Sequence, residues 1–165
     1  MQLNLNHTIA KELLEKHEYP WEVLANIGDF IIELGKTLPK DKFDHPQEDI
    51  WIAKDVTIAK TATLNGPLII DEGTEVRPGA FIRGKVIVGK DCVVGNSTEL
   101  KNVVLFNTVQ VPHYNYVGDS ILGTHSHMGA GSITSNVKSD KTLVVVKDGE
   151  EKIETGLKKF GAMLG

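Results

Sequence analysis

Two cations and a histidine near the middle of the chain are spaced in a way that could do chemistry. Arg83 and Lys101 stand eighteen residues apart, and each directly follows an aliphatic residue, Ile82 and Leu100. On a scaffold that repeats every eighteen residues they would stack as a two-rung basic column, able to hold an anion such as a phosphate through charge-assisted hydrogen bonds. Exposed Lys and Arg more often have no specific partner, so spacing alone leaves a merely solvated pair open. His113 lies twelve residues past Lys101 at an equivalent outward position, which places it on another face of the same scaffold. Histidine is the side chain best suited to proton transfer near neutral pH. Three copies with abutting faces would bring His113 of one towards Arg83 and Lys101 of the next.

The elements that must position these residues follow from a period of six. Ile52, Ile58, Leu64, Ile70, Val76, Ile82, Val88, Val94, Leu100, Phe106 and Pro112 are spaced by six, and ten of the eleven are aliphatic or aromatic. A hexapeptide period is the mark of a parallel β-helix, in which three flat sides make one coil. The position four further on is small or apolar (Val56, Ala62, Thr74, Ala80, Cys92, Thr98), as a narrow interior requires. Gly89 and Gly95 are expected where the chain bends towards solvent. Pro67, Pro78 and Pro112 with the many β-branched residues argue against a helical solenoid. The register slips after Pro112, to Val117, Leu122 and Met128, which predicts a bulge or outward loop at His113 to Tyr116.

Around this core, residues 1–40 read as an N-terminal helical cap, with one helix from Thr8 to about Glu18 and a second opened by Pro20 and ending near Gly35. Leu24, Ile27, Ile31 and Leu34 form one apolar stripe, expected to cover the end of the first coil or to mediate association. Residues 41–50 read as a polar linker and 51–165 as the β-helix, with a hairpin arm at about 141–155 turning at Asp148-Gly149. Leu164-Gly165 reads as the start of a further repeat, as expected of a piece of a longer protein.

Composition narrows the function classes. The chain has 165 residues, 41% of them hydrophobic and 24% charged, and a formal net charge of -4. That balance provides no basic face for a nucleic-acid backbone. There is no apolar run long enough to span a bilayer and no signal-peptide pattern, so a cytoplasmic protein without a membrane partner is expected. The single cysteine, Cys92, reads as a small core residue.

The stretches Glu99-Leu100-Lys101, VPHYNYVGDSILG (Val111 to Gly123) and GAGSITSN (Gly129 to Asn136) resemble the acetyltransferase half of the bacterial bifunctional enzyme that makes UDP-N-acetylglucosamine. The likeness covers residues 76 to 141. The family's pattern is a histidine, two residues, a tyrosine, Gly-Asp, and then Gly-Ala-Gly-Thr-Ile-x-x-Asn. The resemblance implies a left-handed parallel β-helix, mainly β, that works as a homotrimer with acetyl-CoA as co-substrate and an amino-sugar phosphate as acceptor. It implies that His113 is the catalytic base, that Arg83 and Lys101 hold the sugar phosphate, that Tyr116 and Asn136 contact the amino sugar, and that Ala130 lines the acetyl-CoA site. His127 stands where the family carries asparagine and is read as a further substrate contact, while Gly84 replaces a proline. The rungs that complete the family's coenzyme site lie past Gly165, and its nucleotide-transferring half has no counterpart in this sequence.

Two functions are consistent with these residues. One is an N-acetyltransferase acting on a hexosamine 1-phosphate, and the other is a non-catalytic β-helix kept for trimerisation or ligand sensing. His113, His125 and His127 also raise a metal site of the kind found in zinc-dependent hexapeptide carbonic anhydrases. The close pair there is four residues apart, whereas this chain has His-Ser-His, so no metal is expected.

Overall fold

A computed structural model describes residues 3–165; residues 1 and 2, at the start of the segment expected to be helical, lie outside the described residues. The chain is a mainly β solenoid of about four turns. β1 (Phe43–Gln47) precedes it. β2 (Ile50–Ala53), β3 (Thr57–Ile58) and β4 (Thr63–Leu64) form the first coil, and β5 (Leu68–Ile70), β6 (Glu75–Val76) and β7 (Phe81–Ile82) the second. β8 (Val86–Val88), β9 (Val93–Asn96) and the first half of β10 (Glu99–Leu105) form the third. The second half of β10, β11 (Gln110–His113) and the first half of β12 (Tyr116–Leu122) form the fourth. Every pairing between coils is parallel.

The inward columns follow the six-residue period through Ile52, Ile70 and Val88, and through Leu64, Ile82 and Leu100. The next steps are shorter. Val88 pairs with Leu105 and Val94 with Val111, so Leu105 and Val111 lead their sides rather than Phe106 and Pro112. The slip therefore precedes Pro112. Asn102 turns the corner alone at φ 51, where the preceding coil uses Gly84 and Lys85, and Asp119 repeats the short corner one coil later at φ 50. Asn and Asp are the non-glycine residues that tolerate this left-handed region best. Because these corners are tight, β10 and β12 each run through two sides and merge them into one nine-stranded sheet, while β3, β6, β9 and β11 form a four-stranded one.

The expected loop at His113 to Tyr116 is instead an ordinary corner. Tyr114 at φ 51 repeats Ser97 at φ 53, and the buried Asn115 follows as the buried Thr98 does in the coil before. Gly89 and Gly95 do not face solvent either. Both are buried, and a Cβ on Gly95 would overlap the backbone of Pro112 in the next coil. The glycine is there for close approach between coils.

Among the described residues, four short helical pieces precede the solenoid: a 3-10 turn at Leu5–His7, α1 (Lys11–Glu15), a 3-10 helix at Pro20–Ala25 and α2 (Ile27–Gly35). Glu22 accepts a hydrogen bond from the Tyr19 N–H at 2.9 Å at the start of the 3-10 helix. Rather than closing the first coil, α2 lies along one side against β5, β8 and β10, and the 3-10 helix lies against β12. Ile69, Ile87, Val104 and Ile121 alternate away from the interior yet are fully buried beneath them. Leu24, Ile27 and Ile31 form the other half of this layer. The β2 edge of the first coil is covered by β1, from the segment expected to be a linker, which pairs antiparallel with β2. The outward excursion of the chain comes after Asn136. β13 (Val145–Asp148) and β14 (Glu151–Glu154) form a hairpin, and the chain returns through β15 (Met163–Leu164), which pairs parallel with β12.

Candidate functional site

A second side of the solenoid is formed by β4, β7 and the first halves of β10 and β12. Ile82, Leu100 and Val117 point inward there, so their neighbours alternate outward. One outward row runs Thr63, Phe81, Glu99, Tyr116 and Ile133, in register across the coils. Arg83 and Lys101 stand beside it on adjacent coils.

The basic column is not a free pair of cations. Arg83 Nη1 lies 3.5 Å from Glu99 Oε1, the two side chains being 43% and 34% exposed. Lys101 Nζ lies 3.1 Å from both carboxylate oxygens of Asp119, whose side chain is only 4% exposed. Asp119 also accepts from Asn102 Nδ2 at 3.0 Å and from Asn136 Nδ2 at 2.7 Å. Asn136 Nδ2 in turn reaches the Tyr116 hydroxyl at 3.1 Å. Gly118 leaves the room for this meeting, since a Cβ there would run into Tyr116 and Asn136. Asn102 Oδ1 is the one buried side-chain polar atom without a partner among the described residues. An orphaned buried carbonyl costs about 1–3 kcal/mol, and the fold accepts that cost to keep the Asn102 amide nitrogen on Asp119.

The folded protomer thus brings Lys101, Tyr116 and Asn136 together. The residue at their centre, Asp119, is absent from the sequence-derived set although the Gly118-Asp119 pair belongs to the motif. His113 lies apart, at the end of β11 in the four-stranded sheet, exposed and without a side-chain hydrogen bond among the described residues. Its carbonyl accepts from Gly131 N–H at 3.0 Å, which ties it to the turn bearing the exposed Ala130. His127 Nδ1 is 3.1 Å from Gln110 Oε1 on the outward side of that sheet. No group of three or more His, Cys, Asp or Glu side chains is arranged to hold a metal among the described residues. A cavity of about 390 Å³ lined by Lys42, Asp71, Glu72 and Lys90 contains none of the site residues. Among the described residues no helix is long and apolar enough to cross a membrane.

The arm is anchored to this site. Gly161 N–H donates to the Asp119 carbonyl at 2.8 Å and Phe160 N–H to the Asn136 carbonyl at 2.9 Å. Phe160 packs on Trp21 of the 3-10 helix, with ring centroids 5.8 Å apart.

Comparison with known proteins places this side of the solenoid in context. The family model described as the GMPPB C-terminal domain matches residues 64–150, which contain every residue discussed above as a site candidate. The bifunctional protein GlmU of Methanococcus aeolicus is 35% identical over 126 residues, covering 66% of this chain and 30% of that one. GlmU of Methanococcus vannielii is 31% identical over 164 residues, covering 88% and 36%. The chain thus spans about a third of the length of the curated relatives it matches. Among solved structures, the acetyltransferase domain of PglB from Neisseria gonorrhoeae aligns with a TM-score of 0.52 at 19% identity, over 74% of this chain and 62% of that one. The same domain in complex with acetyl coenzyme A aligns with a TM-score of 0.50 at 18% identity, over 52% and 42%. At these identities the structural likeness bears on the fold.

Proposed function

Because the chain belongs to the GMPPB C-terminal domain family, we propose that it is an acetyl-CoA-dependent N-acetyltransferase acting on a hexosamine 1-phosphate, built as a left-handed β-helix and working as a homotrimer. The observation that carries this reading is the convergence of Lys101, Tyr116 and Asn136 on one side within the matched region. The likeness to GlmU proteins supports it.

In this reading the acceptor's phosphate displaces the half-buried Glu99 from Arg83 and is met by both cations, Lys101 being held ready by Asp119. Tyr116 and Asn136 contact the amino sugar, with His127 as a further contact. The amine nitrogen attacks the thioester carbonyl of acetyl-CoA, held near Ala130, and His113 takes the proton that the nitrogen loses. A backbone N–H stabilises the tetrahedral oxyanion, the C–S bond breaks, and CoA leaves as the thiol after accepting that proton. In this reading the neighbouring copy supplies the histidine, His113 lying on a different sheet of the protomer from Lys101.

A thiol-release assay with acetyl-CoA tests the acceptor, run with glucosamine 1-phosphate beside galactosamine 1-phosphate. Release that depends on a hexosamine 1-phosphate supports the reading. Light scattering tests the assembly; a monomeric mass at micromolar concentration refutes the shared site.

A further inference from the structure

We propose that Asp119 is a positioning residue: it fixes the Asn136 carboxamide with nitrogen inward and oxygen outward, so that this point of the site accepts a hydrogen bond from the acceptor's amine. The inference rests on the amine-acceptor reading above.

Four hydrogen bonds converge on the Asp119 carboxylate: two from Lys101, one from Asn102 and one from Asn136. An ionised carboxylate only accepts, so Asn136 must turn its NH2 towards it. The same nitrogen donates to the Tyr116 hydroxyl, so both Asn136 N–H groups are spent inside the protomer. Asn136 is only half-buried, and its Oδ1 is the capacity left for a ligand. Tyr116, already accepting from Asn136, keeps its own O–H free to donate. One buried charge therefore sets the polarity of two neighbours: Asn136 presents an acceptor and Tyr116 a donor, beside Lys101, which donates in any case. The backbone carbonyls of Asp119 and Asn136 are both clamped by the returning arm, which keeps carboxylate and amide in a fixed relation.

Asp119→Asn keeps the shape and removes the constraint. The new amide has an NH2 of its own to place among donors, and a half-turn of Asn136 relieves the conflict by exposing nitrogen where oxygen stood. Asp119→Glu keeps an all-acceptor group and should retain more activity than D119N.

The test compares wild type, D119N, D119E, Asn136→Ala and the D119N/N136A double variant as full chains, with melting temperatures measured alongside. CoA release gives kcat and KM for glucosamine 1-phosphate, and the 15N–1H spectrum gives the Asn136 NH2 resonances, assigned by their loss in N136A. The expected result is a fall in kcat/KM of about 10- to 100-fold in D119N, carried mainly by kcat, and a much smaller effect of D119N in the N136A background. The Asn136 NH2 resonances are expected to move in D119N. Wild-type turnover in D119N, an additive cycle or unmoved resonances would each overturn the proposal. If the wild type releases no CoA, the acetyl-transfer reading fails by itself, and the resonances still decide on Asp119: moved, they support the positioning role, and unmoved, they overturn it.

Discussion

Lys101 Nζ sits 3.1 Å from each carboxylate oxygen of Asp119, one coil further along the solenoid. Asp119 is nearly inaccessible while Lys101 keeps 22% of its side chain exposed, so the pair lies between a surface salt bridge and a buried one. Removing Lys101 leaves the carboxylate with two amide donors and no counter-charge. Lys101→Ala should therefore lower stability by about 1–2 kcal/mol, discounted from the cost of breaking a fully buried pair. Chemical denaturation checks this, and the loss should shrink when Asp119→Ala is added, since the stranded charge is then gone. In the acetyl-transfer reading Lys101→Ala also raises KM for the sugar phosphate.

Close approach between coils gives a second prediction. Gly95 faces the backbone of Pro112, which cannot move aside as a flexible side chain could. Gly95→Ala should cost about 2 kcal/mol or more through overpacking. A denaturation midpoint equal to that of the wild type would show that the coils can separate locally.

Cys92 should be chemically silent in the folded chain. Burial pushes its thiol pKa up to about 12, and its Sγ donates to the Phe106 carbonyl at 3.0 Å. The thiolate is the reactive form, so an aromatic disulfide reagent at mildly alkaline pH should find no thiol in the native protein and one per chain after denaturation. Rapid native labelling would mean that the interior opens around the third coil.

Asp71 predicts a dependence on pH. It is buried, and desolvation raises its pKa, with the Glu72 N–H and the Lys90 charge pulling the other way. Below the unfolded-state value both states carry the proton and the residue is neutral towards folding. As pH rises past that value the unfolded chain ionises first, so stability is lost and the deficit persists at higher pH. Asp71→Asn retains an acceptor for the Glu72 N–H, which Asp71 Oδ1 holds at 2.8 Å. It should raise the melting temperature at pH 7 and leave it unchanged below about pH 3.5. An equal effect at both pH values would exclude ionisation as the cause.

Much of the solenoid could be read from periodicity, and where periodicity stopped is instructive. Ile52, Ile70 and Val88 mark an inward column because a hexapeptide side leaves no other place for them. Phe106 and Pro112 fall one residue past the inward positions because Asn102 takes a corner in a single positive-φ residue, an event that apolar spacing does not record. The covered side had a legible signal that the period of six obscured: Leu68–Ile70, Val86–Val88 and Val103–Leu105 are each apolar at three consecutive positions, the mark of a strand buried on both faces. An apolar stripe on α2 shows that it must be covered, but not that its partner is a lateral side rather than an end. At the site, types and spacing point to Arg83 and Lys101, whereas Tyr116 and Asn136 enter only through the family resemblance. Asp119 carries no separate signal in the sequence, because its donors Lys101, Asn102 and Asn136 lie seventeen or eighteen residues away and are adjacent only once the coil is formed.

The measurement that bears most directly on the account is the mass-spectrometric identification of the product formed from acetyl-CoA and a hexosamine 1-phosphate, by the wild type and by His113→Ala. The account predicts an N-acetylated sugar phosphate from the wild type, with kcat lower by about 10²- to 10⁴-fold in His113→Ala and KM little changed. Absence of the acetylated product with the wild-type chain, in the presence of both substrates, would contradict it.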